Sequence, residues 1–81
     1  MIHVGKETRR SPQQVLDQAL ASFGPEGVGL TVERQTAEGI GFQGGGGYVA
    51  VRVSQAAAGA TTVDIESQEW EYHAEQFLRQ L

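Results

Sequence analysis

The sequence predicts an α+β fold: a five-stranded antiparallel sheet with two helices on one face. Three observations lead there. Between residues 28 and 66, four segments alternate apolar and polar side chains with the period of two that marks a half-buried strand. A shorter alternation, Ile2 and Val4 against His3 and Gly5, precedes them. Two other stretches repeat apolar residues at steps of three and four, the period of a helix with one buried face.

From the start of the chain, the Ile2 and Val4 alternation predicts a short strand that ends at the charged stretch Lys6, Glu7, Arg9 and Arg10. Ser11-Pro12-Gln13-Gln14 then carries the signature of a helix start. Ser11 can accept from an orphan amide, Pro12 suits the first helical position, and Gln14 completes a capping box. Val15, Leu16, Ala19, Leu20 and Phe23 follow on one face, and Gly24-Pro25 stops the helix.

The four central segments set their own register. Val28, Leu30 and Val32 share one side of the first, with Gly29, Thr31 and Glu33 on the other. Ile40 and Phe42 point inward in the second, Val49, Val51 and Val53 in the third, and Val63 and Ile65 in the fourth. Opposed residues in a ladder must point the same way, so Phe42 pairs with Val49 and Gln43 with Tyr48. The tetraglycine 44–47 is left over and is expected to form the whole hairpin loop.

Ser67 is expected to cap the last helix, with Glu69 and Glu71 in the first turn, where the helix dipole favours negative charge, and Arg79 at the opposite end. Trp70, His73, Ala74, Phe77, Leu78 and Leu81 define its apolar side, with Trp70 and Phe77 as anchors; Glu75 and Arg79 are spaced to pair across a turn. If the first helix runs back down the sheet, the first strand can pair antiparallel beside the fifth. The spatial order is then 2-3-4-5-1, with one face under the helices and the other open.

At 81 residues the sequence predicts one domain, 1–81, too small for a large core, for which a dimer would be stabilising. Ten acidic residues outnumber six scattered basic ones, giving a net charge of -4 and no basic patch for nucleic acid. The lack of cysteine removes disulfides, thiolate chemistry and cysteine zinc sites and suits a reducing compartment. No apolar run approaches the roughly 20 residues needed to span a bilayer, so a soluble, cytoplasmic protein is expected.

With the glycine-rich hairpin at 44–47 and a closing helix over 69–81, the order of elements resembles a short version of the helix-grip arrangement of Bet v 1 and START-like proteins. It equally resembles one TBP-like repeat. Either resemblance implies apolar ligand binding or a paired-sheet assembly. No signature residue of these families is present to carry over.

Catalysis, metal and cofactor binding are not expected. The tetraglycine lacks the Gly-Lys-Ser/Thr ending and following helix of a phosphate loop. His73 has the place of a partly buried side chain at the edge of its helix face, and His3 is its only histidine partner, without ligand spacing. Asp64 and Glu66 share an outward strand face, where Arg52 can neutralise one of them. The same outward face supplies the candidate partner-facing surface: Gly29, Gly41, Tyr48, Ala50 and Arg52. There Glu33, Gly41, Ala50 and Asp64 or Glu66 should line up across the strands, leaving a middle nearly free of side chains. Gly41 and its neighbours could serve curvature of the sheet or seat another chain. The function expected is therefore a non-enzymatic interaction module, as a homodimer or with a protein partner. The alternative is a binder of a small apolar ligand held between the sheet and the last helix.

Overall fold

The computed structural model describes residues 1–56 and 59–81. Its elements follow in the order β1 (Ile2–Thr8), α1 (Pro12–Phe23), β2 (Thr31–Thr36), β3 (Gly39–Gly44), β4 (Gly47–Gln55), β5 (Thr61–Gln68) and α2 (Glu71–Arg79). Every strand pairing is antiparallel, and the spatial order is β1-β5-β4-β3-β2, the order expected from the connectivity. Phe42 lies opposite Val49 and Gln43 opposite Tyr48. Val49, Val51, Val63 and Ile65 are buried on the helix-covered face.

Helix α1 begins where its capping box specifies. The Gln14 amide donates to Ser11 Oγ at 3.1 Å, and the Ser11 amide donates to Gln14 Oε1 at 2.9 Å. α1 packs on β3 and β4, and α2 on β5. Phe23, the last residue of α1, joins the two halves of the core: its ring centroid is 5.6 Å from that of Phe42 and 5.4 Å from that of Phe77. Tilted pairs of this kind contribute about 0.5–1.5 kcal/mol each beyond area burial. The three rings form part of a buried core that also takes in Val15, Leu16, Val49, Val51, Val63 and Ile65.

Four local expectations are corrected. β1 does not stop at its charged residues but continues through Thr8, with Lys6 in the inward phase beside Ile2 and Val4. The Lys6 ammonium donates to the carbonyl of Leu78 at 2.8 Å and to that of Leu81 at 3.2 Å. It therefore adds a positive charge at the negative dipole end of α2, so the strand gains a partner by keeping its lysine.

β2 begins at Thr31 rather than Val28. The amides of Gly27 and Gly29 both donate to the carbonyl of Gly24 at 2.9 Å, while Val28 donates to Ser22 and Leu30 to Phe23. The backbone donors of this stretch are used in closing the end of α1 and are lost to the sheet.

The hairpin is tighter than a four-residue loop. Gly44 and Gly47 still pair, and the turn is Gly45-Gly46 with φ of 59° and 82°. Both central residues in the left-handed region make the type of turn whose twist matches the strands it joins.

Ser67 is not a cap. It continues β5 in phase with Val63 and Ile65, fully buried, and its Oγ has no hydrogen-bond partner among the described residues. The chain reverses at Glu69, with φ 74°, and α2 starts at Glu71 with Trp70 at its N-cap position. Trp70 is consequently a half-buried residue ahead of the helix, where its indole Nε1 donates to the Gly44 carbonyl at 2.9 Å. The helix keeps Ala74, Phe77 and Leu78 buried, while His73 is exposed. The Met1 ammonium forms an ion pair with Glu71, and the His3 ring lies 3.6 Å from the Asp64 carboxylate; the Glu75 and Arg79 pair is not formed. No helix among the described residues is long and apolar enough to cross a membrane.

Candidate functional site

Because both helices lie on one face, the opposite face of the sheet is left open, and its side chains fall into rows across the strands. The central row runs Arg34, Gly41, Ala50, Glu66 and His3, from β2 to β1. The next row runs Thr36, Gly39, Arg52, Asp64 and Gly5. On the hairpin side lie Thr31, Gln43, Tyr48 and Gln68.

The expected row contained Glu33 in place of Arg34. The ladder between β2 and β3 passes from Val32 opposite Phe42 directly to Arg34 opposite Gly41, so Glu33 is an inserted, unpaired residue. This bulge reverses the sign of charge at the end of the row. Glu33 itself faces the hairpin side, lining a depression with Gln43, Tyr48 and Gln68, whereas Arg34 lines its neighbour with Gly41, Ala50 and Arg52.

The second depression, of about 330 Å³, has Gly39 and Gly41 of β3 as its floor. They are not equivalent. A Cβ on Gly39 would lie 2.8 Å from the Val51 carbonyl oxygen, so the protein's own packing requires a glycine there. A Cβ on Gly41 would meet only the Arg34 Cβ, at 3.9 Å, and Gly41 is not among the glycines with positive φ. Neither crowding nor backbone conformation calls for glycine at position 41. A glycine inside a strand typically costs about 0.5–1 kcal/mol relative to alanine.

The charged groups around this floor are held in part by one another. Tyr48 donates its hydroxyl to Glu66 Oε2 at 2.6 Å. That bond, then partial burial and the carboxylate's negative charge, raises the Tyr48 phenol above its ordinary pKa, against a smaller opposing effect of Arg52. Asp64 Oδ1 lies 3.6 Å from His3 Nε2. Arg52 stands opposite Asp64 in the ladder but does not form the ion pair expected of it.

Four of the five residues expected on the partner-facing surface, Gly41, Tyr48, Ala50 and Arg52, are brought together on this face. Gly29 is not with them. It lies ahead of β2 with φ 99°, within the turn that closes α1. Arg34 and Glu66 belong to the site and were missed or left unresolved by pattern alone. In-phase pairing with Ala50 identifies Glu66, whereas nothing local marks the bulge that brings in Arg34.

The face offers small residues at its centre, charges of both signs around them, and a phenol. Among the described residues no three histidine, aspartate or glutamate side chains converge as metal ligands would. Such a surface can make close backbone approach and ion pairs. No family model matches this chain, and no curated protein matches it.

Proposed function

We propose that this protein is a non-enzymatic interaction module that self-associates through the open face of its sheet. The observation that carries this reading is Gly41: a strand glycine, paired with Ala50 on one side and with Arg34 beside the bulge on the other, at a position where its own fold would accept a side chain. Curvature is the competing explanation for that glycine. The bulge at Glu33 lies directly across from Gly41, yet a Cβ on Gly41 would stay 3.9 Å from the Arg34 Cβ and its φ is not positive, so the bulge does not itself require the glycine. Close approach of another chain gives the missing side chain a purpose.

The alternative, a small apolar ligand between the sheet and α2, has less in its favour. Phe23, Phe42 and Phe77 occupy the space such a ligand would take. Of the two activities implied by the helix-grip or TBP-like resemblance, paired sheets therefore agree better with the packing.

The test is Ala50→Arg. Position 50 is half-exposed on the open face, so a long charged side chain can reach water in the free protein. Against a partner it cannot, and an unpaired interfacial charge costs several kcal/mol. Sedimentation of wild type and Ala50→Arg at equal concentration should show a dimer for the first and a monomer with unchanged circular dichroism for the second. Equal masses would remove the open face as an association surface.

A further inference from the structure

We infer that the partner is a second copy of this chain, docked about a two-fold axis parallel to the strands and passing between Gly41 and Ala50, so that Arg34 of each copy meets Glu66 of the other. This rests on the open face being an association surface and specifies how that surface is used.

The order of charges in the central row carries this docking. Arg34 and Glu66 stand on β2 and β5, each one strand outside the adjacent pair Gly41 and Ala50. They lie at opposite ends of a stretch spanning about 14 Å, three strand spacings of ~4.8 Å, whose centre is the lowest part of the face. Positive and negative ends are thus symmetric about the place where two backbones can come closest.

Two sheets stacked face to face through a two-fold axis can use an axis along the row or an axis along the strands. An axis along the row sets each member of that row over its own copy, Arg34 on Arg34 and Glu66 on Glu66, and like charges in contact oppose assembly. An axis along the strands reverses the row. Arg34 then faces Glu66 twice, once on each side of the axis, as a self-complementary interface requires. Tilting that axis by about 15° from the strands produces the ~30° angle at which twisted sheets normally stack.

The neighbouring groups are compatible with this docking. Tyr48 holds one carboxylate oxygen of Glu66, leaving the other oxygen to accept from an arginine. Arg52, near the axis, is placed over Gly39 of the second copy with that copy's Arg52 one strand away, and Asp64, its ladder neighbour in the same copy, is the group that can offset this like charge. Glu33 lies toward the hairpin, where the rotation brings it against Gln68 of the second copy. The charge complementarity depends on the bulge: with Glu33 in the row, both of its ends would be acidic.

The sheet also bounds the strength of association. With the axis between β3 and β4, four strands overlap, and at ~4.8 Å by about six residues at ~3.3 Å they make a plane of roughly 380 Å² per copy, below the standard size of a specific interface and in the range of weak, transient ones. The dimer should therefore form and dissociate readily and weaken as salt screens its ion pairs.

Charge reversal tests the docking. Arg34→Glu and Glu66→Arg are each purified and studied by sedimentation alone and as an equimolar mixture at a concentration where wild type is dimeric, with circular dichroism as the check of fold. Each variant alone should lose association at least tenfold, because both of its pairs become like-charged. The mixture should recover wild-type mass, because one copy then carries two acids where the other carries two arginines. Glu66→Gln, which retains an acceptor for Tyr48, provides a milder variant that should weaken association about tenfold with the fold intact. Single variants that dimerise like wild type, or a mixture that stays monomeric, would overturn this docking. If Ala50→Arg is monomeric in the same experiment, the open face survives as the interface with another arrangement. If Ala50→Arg also dimerises, or wild type is monomeric throughout, the association reading fails with it.

Discussion

Arg34 lies opposite Gly41 in the ladder between β2 and β3 because Glu33, the residue before it, is bulged out of the pairing. The row of charges on the open face depends on this single inserted residue.

Deleting Glu33 should accordingly heal the ladder rather than scramble it. Val32 opposite Phe42 and Arg34 opposite Gly41 would become consecutive regular pairs, with no side chain changing face. A cooperative melt within about 5 °C of wild type is expected, since 1 kcal/mol shifts a domain of this size by about 4–8 °C. If Glu33 were instead regularly paired, its deletion would turn one half of β2 over, and the midpoint would fall much further.

The hairpin turn makes a prediction that separates its two central glycines. Both have positive φ, but a Cβ on Gly45 would lie 2.7 Å from Trp70 Cζ2, whereas one on Gly46 meets nothing. Asparagine tolerates this backbone region, so Gly46→Asn should cost only a few tenths of a kcal/mol and Gly45→Asn about 1–3 kcal/mol from overpacking. Urea unfolding of both variants and of their combinations with Trp70→Ala checks the cause. Removing the indole should relieve most of the Gly45→Asn penalty, and an unchanged penalty would separate that penalty from the indole.

The bond from Tyr48 to Glu66 has a pH signature. Its folded-state pKa lies above the ordinary phenol value, so the stability it contributes is fully present below that ordinary value and is lost as pH rises through the folded value. Absorbance titration of the tyrosines should show the Tyr48 transition displaced upward, and Glu66→Ala should bring it back toward the ordinary value. A Tyr48 titration indifferent to Glu66→Ala would contradict the hydrogen bond as the main cause.

The alternation of Val49, Val51 and Val53 against Val63 and Ile65 made the centre of the sheet legible, because a slip there would expose a whole apolar row. β2 was less legible for the converse reason. Glu33, Arg34, Gln35 and Thr36 are exposed on an edge strand, so no burial pattern recorded the bulge or the face that Arg34 takes. Ser67 carried two conflicting signals: its capping propensity suggested a helix start, while its spacing from Val63 and Ile65 placed it inside β5. The period prevailed, because burial of a continuous strand face outweighed one cap. Lys6 was misread from its charge alone, since the carbonyls that receive it lie 72 and 75 residues away. The candidate site was half legible in the same way: the row through Gly41 and Ala50 follows from alternation, whereas its charged end at Arg34 follows from an irregularity with no sequence mark.

The central claim is that Gly41 is a glycine for the sake of a second chain, and Gly41→Val tests it in one pair of readings. Sedimentation over a concentration series gives the association, and the melt measured at a concentration where wild type is monomeric gives the stability. Valine suits a strand, and its Cβ is accommodated at this position, so the monomer should gain about 0.5–1 kcal/mol. Self-association should be lost at every concentration where wild type is dimeric. A variant that is destabilised yet dimerises like wild type would show that the fold, and not a partner, requires the glycine.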